Sequence, residues 1–146
     1  MKKIAFIILT FCCLNACKNN VQQTNDTNSQ TNISAEKQKQ LVAEIMVVHD
    51  EVMPMMNKIE EIQKQLRTEL PKIKDNVLKN KVLSSLSGLE SADKAMYDWM
   101  DNYKAEPEPS IAMQYFTEEK VRVDAMAEKV KSAIANAESL LVELKK

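Results

Sequence analysis

The chain has 146 residues, enough for one domain. It holds one glycine, four prolines, 5% aromatic and 28% charged residues, and it is rich in Ala, Leu, Met, Glu, Lys and Gln. That composition excludes a sheet protein, which needs turn glycines and β-branched or aromatic strands, and it points to helices. The 20 basic and 21 acidic side chains nearly cancel and form no basic patch interleaved with aromatics, so nucleic acid is not expected as a partner.

Met1-Lys2-Lys3 is a short positive start, and Ile4 to Leu14 is an apolar run interrupted by Thr10. This is the charged-then-apolar plan of a signal peptide over residues 1–16, too short to span a bilayer permanently. Leu14-Asn15-Ala16-Cys17 then resembles the lipobox of bacterial lipoproteins. The resemblance implies cleavage before Cys17, a diacylglyceryl group on its sulfur and acylation of the new amine. Each buried methylene adds about 0.8 kcal/mol, so several acyl chains anchor a protein to a membrane far better than one. By the same resemblance, an Asp after the cysteine would signal retention in the inner membrane. Lys18 stands there, and Lys18-Asn19-Asn20 lacks the acidic run that sends some lipoproteins to the cell surface. The expected location is therefore the outer membrane, facing the periplasm.

Removing residues 1–16 takes Lys2 and Lys3 from the basic side chains and no acid, which leaves a net charge of −3. It also takes Cys12 and Cys13, and lipid would occupy Cys17, so the mature chain has neither disulfide nor free thiol. Residues 17–33 comprise the lipidated cysteine and a run of Asn, Gln, Thr and Ser that shows no period and buries nothing. A disordered tether with a reach of roughly 20–25 Å is expected there.

Residues 34–146 read as a helical bundle. Ser34 is a candidate N-cap, and Leu41, Ile45, Val48, Val52, Met55, Ile59, Ile62 and Leu66 alternate by four and three, a heptad seam that should end before Pro71. A second helix is predicted from around Lys72–Asp75, with Leu78, Val82, Ser85, Leu89, Ala92, Met96, Trp99 and Tyr103 as its seam. Ala105-Glu106-Pro107-Glu108-Pro109 stops it. A third helix is predicted from an N-cap at Thr117, with Glu118 and Glu119 favourable to its dipole. Its seam is Val123, Met126, Val130, Ala133, Ala137, Leu140 and Leu144, and Ile111–Phe116 form a separate short turn. Short connections predict an all-α, antiparallel three-helix bundle running up, down and up.

A second stripe lies beside the first seam: Val42, Met46, His49, Met53 and Met56, with Pro54 inside it, where a kink or break is expected. The second helix carries Asp93, Met96 and Met100. A hairpin folding near residue 72 would bring the single histidine level with Ala95 and Met96. Met filling irregular core space around a kink is one reading. The other is a soft-metal site for Cu(I) drawn from His49, Met46, Met53, Met96 and Met100, since thioether and imidazole groups suit that ion. Asp50 and Glu51 are expected to point away from His49 on the helix. No nucleophile–base set, glycine-rich phosphate loop or dense carboxylate motif is present, so no catalytic residue and no resident cofactor are expected.

His49-Asp50-Glu51-Val52-Met53-Pro54-Met55-Met56, with Ala95-Met96-Tyr97-Asp98-Trp99-Met100 and Tyr103, resembles a group of small Bacteroidota lipoproteins that often carry the label "viral A-type inclusion protein". The resemblance spans residues 35–145, with departures at Met55 and Tyr97, where the group carries Lys and Met. It implies a helical envelope lipoprotein and transfers no site residue. The expected function is a non-catalytic, lipid-anchored bundle that binds an envelope protein or ligand. Its rival is a periplasmic Cu(I)-binding lipoprotein. A seam wide enough for a fourth helix also allows a homo-oligomer.

Overall fold

The computed structural model describes residues 26–145, with side chains described from Ser34 onward. The expected signal peptide, Cys17 and the first part of the expected tether lie outside the described residues. Within them the chain is all-helical: α1 (Asp26–Val52), α2 (Met55–Glu69), a 3-10 turn at Leu70–Lys72, α3 (Asn76–Asn102) and α4 (Ala112–Leu144). None of these helices is long and apolar enough to cross a membrane.

α1 begins at Asp26 rather than at a cap on Ser34, so residues 26–33 of the expected tether are helical. Polar composition limits what a segment can bury, and does not forbid it a helix. A helix already nucleated by its packed part gains one backbone hydrogen bond for each residue it adds, and it can run into a polar segment without a core.

Pro54 ends α1, as expected. The Met53 N–H still donates to the His49 carbonyl at 2.8 Å, and the ladder restarts with the Met56 N–H on the Met53 carbonyl at 3.2 Å. Pro54 itself keeps helical angles (φ −63°, ψ −21°). Two ion pairs to α4 flank this break, Glu51–Lys131 at 2.8 Å and Lys58–Glu138 at 2.5 Å. The step is seven residues on each helix, so α1 and α2 act as one leg that keeps its register across the proline.

Pro71 tightens the end of α2 into the 3-10 turn, after which Ile73 is extended (φ −77°, ψ 123°). Asp75 caps α3 with its carboxylate accepting from the Leu78 N–H at 2.7 Å. Tyr103 turns extended and closes α3 by donating its N–H to the Trp99 carbonyl at 3.0 Å. α4 starts at Ala112, not at Thr117. The Thr117 hydroxyl bonds back to the Met113 carbonyl at 2.8 Å instead of capping. The separate turn expected over Ile111–Phe116 is the first stretch of this helix, and it buries Ala112 and Phe116.

α4 packs against α1, α2 and α3 and forms the common wall of the core. Ile45, Val52, Ile59 and Leu66 are buried from the first leg, Val82, Leu89 and Met96 from α3, and Val123, Val130 and Ala137 from α4. Leu86 and Ile134 take the buried places expected of Ser85 and Ala133, and Met56 that of Met55. A straight helix drifts about 20° per heptad from a strict seven-residue repeat, enough to carry the buried face onto the next residue.

Candidate functional site: an aromatic and carboxylate node beside the histidine

The end of α1, the end of α3 and the start of α4 bring together side chains that are far apart in sequence. Their rings form a continuous file. His49 lies 5.6 Å from Trp99 between centroids, Trp99 5.1 Å from Tyr103, Tyr103 6.4 Å from Tyr115, and Tyr115 5.4 Å from Phe116. Aromatic pairs in this range add attraction beyond the area they bury.

Glu119 sits under this file and is only 2% exposed, the one charged residue in the core among the described residues. A buried carboxylate is costly unless it is paired and hydrogen-bonded. Glu119 has both: Trp99 Nε1–H donates to Oε2 at 3.0 Å, and Arg122 Nη1 donates to Oε1 at 2.6 Å from the solvent side. Burial, with Tyr115 and Glu119 nearby, holds the Tyr103 hydroxyl above its ordinary pKa. The Tyr115 hydroxyl accepts the Lys104 N–H at 2.5 Å and ties down the α3–α4 connection.

Sequence reasoning missed Glu119 as a core residue because it read that position as dipole-favouring beyond a cap at Thr117. The signal was present: Ala112, Phe116 and Glu119 continue the Val123 seam backward by four and three.

The expected metal set divides. His49 is partly buried, its side chain 21% exposed, and its Nδ1 lies 2.9 Å from Asp50 Oδ1. The neighbouring carboxylate thus reaches back to the ring, contrary to the expectation that it points away. Met46 is partly buried against the core, and Met53 is 37% exposed. Met100 also packs partly buried on the core, whereas Met96 is fully sealed inside it. His49 therefore meets Trp99, one helical turn beyond the expected Ala95 and Met96. Residues Ile73–Asp75 lengthen the hairpin, and the Arg67–Glu90 ion pair (2.6 Å) is likewise shifted along α3, and further.

No three His, Cys, Asp or Glu side chains converge on a common point among the described residues. A groove of ≈ 760 Å³ opens elsewhere, between α3 and α4, walled by Ser84, Ser85, Gly88, Ala133, Asn136 and Ser139. The Ser85 hydroxyl is buried there with no hydrogen-bond partner among the described residues. No known protein family, curated protein or solved structure matches the chain.

Proposed function

We propose that the chain is a bacterial lipoprotein, anchored by lipid on Cys17 to the outer membrane and facing the periplasm, whose body is an up-down-up bundle that binds an envelope protein or ligand without catalysis. The observation that carries this reading is Leu14-Asn15-Ala16-Cys17, set between an apolar export segment and a polar run. The pairs along the helices support the topology. From Lys81–Glu143 to Trp99–Glu119, residue numbers rise on α3 as they fall on α4, while the pairs of the first leg with α4 rise together. The groove between α3 and α4 supports a binding role, because small side chains leave room there for a partner. The lipid supplies attachment in this reading, and the polar segment after it supplies reach.

The test is mass spectrometry of the protein from its native envelope. The expected result is an N-terminal peptide that begins at Cys17 and carries acyl mass, with Cys17→Ala uncut and unlipidated. An unmodified Cys17 in the membrane fraction, or a mature chain still bearing residues 1–16, would overturn the reading.

A further inference from the structure

We propose that His49, Met46 and Met53 form a Cu(I) site where α1 ends, roofed by the ring of Trp99. The residues lie at i−3, i and i+4, spacings that share a helix face. Asp50 has only acceptors when ionised, so in the neutral imidazole the 2.9 Å contact puts the proton on His49 Nδ1 and leaves Nε2 as the metal-binding nitrogen. A carboxylate behind the ring is the arrangement that orients a metal-binding histidine. A donor set of two thioethers and an imidazole suits a soft ion such as Cu(I) over harder ones. No three His, Cys, Asp or Glu side chains converge among the described residues to favour a harder ion.

Met53 is 37% exposed one turn beyond the histidine, so its sulfur is not sealed in the core as that of Met96 is. Trp99 lies 5.6 Å from His49, presenting a π-system that attracts a cation and shields it from water. Met96 is sealed in the core and lies outside the site. The proposal rests on the envelope reading only for where the protein would meet copper; binding itself does not require the lipid.

Trp99 is the only tryptophan in the chain, so its emission reports the site directly. The experiment titrates the full chain, in detergent and without oxygen, with Cu(I) supplied as an acetonitrile complex. Cys12, Cys13 and Cys17 are replaced by Ser to remove every thiol. The expected result is a Trp99 emission change that saturates at one equivalent, with sub-micromolar affinity by competition against a chromophoric chelator. Met53→Leu, at an exposed position, and His49→Ala, checked for helicity, should each weaken binding at least tenfold, while Met100→Leu should leave it unchanged. Zn(II) should bind at least a hundredfold more weakly than Cu(I). The absence of saturable binding, affinity retained in His49→Ala, or equal affinity for Zn(II) would each overturn the proposal. None of these outcomes depends on lipidation, so the site can fail while the anchor stands, and the anchor can fail while the site stands.

Discussion

The two halves of the bundle are built by different means. Towards the α2–α3 turn, Ile59, Ile62 and Leu66 meet Val82, Leu86 and Leu89 with Ile134, Leu140 and Leu141, an aliphatic core with no buried charged residue among the described residues. Towards the α3–α4 connection, one tryptophan, two tyrosines and a phenylalanine stack in a file whose tryptophan holds a buried carboxylate, with the histidine at its edge. The aliphatic half is non-directional: any side chain of about the right volume serves. The node is directional, because Trp99 Nε1–H and Glu119 each need the other in place. Stability can come from the first, whereas specific geometry comes from the second.

The largest effect is expected in the aliphatic half. Leu89 is fully buried, and Leu89→Ala should lower stability by about 2–5 kcal/mol in urea denaturation, through lost transfer energy and the cavity left behind. In the node, Glu119→Ala strands the Trp99 N–H in the core and should cost about 1–3 kcal/mol. Glu119→Gln, which keeps an acceptor for Trp99, should cost less. Trp99 emission and far-ultraviolet circular dichroism should give coincident urea curves, because α3 and α4 run through both halves and link them into one cooperative unit. Separate midpoints would break the bundle into two independently stable parts.

Tyr103 gives the node a pH signature. Its hydroxyl titrates above 10.0 in the fold because of burial, Tyr115 and Glu119, whereas the unfolded chain releases that proton at the ordinary value. The folded state then holds more protons than the unfolded state over the interval between the two values. Stability from neutral Tyr103 is whole below about pH 10 and is lost as the pH climbs through the folded pKa. The urea midpoint should fall as the pH rises above about 10, and Tyr103→Phe should flatten that fall. An equal slope in the variant would remove Tyr103 from the account.

The two halves also differ in how far they can be read from the chain. Val82, Leu89, Val130 and Ala137 announce themselves by spacing, and Pro54 and Pro71 mark where the first leg breaks and ends, because missing donors and steric clash act locally. The node is less legible. Glu119 occupies a seam position, yet a carboxylate in a core makes sense only once Trp99 and Arg122 are known to meet it, and those partners come from a tertiary register that sequence spacing leaves open by a turn. The same uncertainty put His49 beside Met96 instead of Trp99. The helix over residues 26–33 was hidden for another reason: composition reports what a segment can bury, and a propagating helix end need bury nothing.

Gly88 tests whether the α3–α4 groove is open in solution. It lies inside α3, and a Cβ built on it meets nothing within 4 Å. Gly88→Ala should therefore stabilise the protein by about 0.5–1 kcal/mol, the usual difference between glycine and alanine within a helix. A loss of stability, or one that grows with protein concentration, would show that something packs against that backbone and that the groove is filled by a second copy.

The smallest expected effect concerns the register across Pro54. Lys58–Glu138 lies just past the break, with both side chains about half exposed. A pair in such high-dielectric surroundings contributes only about 0.2–1 kcal/mol, and less as salt rises. A double-mutant cycle with Lys58→Ala and Glu138→Ala should return a coupling in that range that fades toward 1 M salt. The register itself should persist without the pair, because Val52 and Ile59, seven residues apart on either side of the proline, are both buried, and moving either helix along the other would expose them. If Lys58→Ala instead changed the Trp99 emission of the folded protein, the ion pair would be setting the alignment of the leg, and the aliphatic half would owe its geometry to a surface charge.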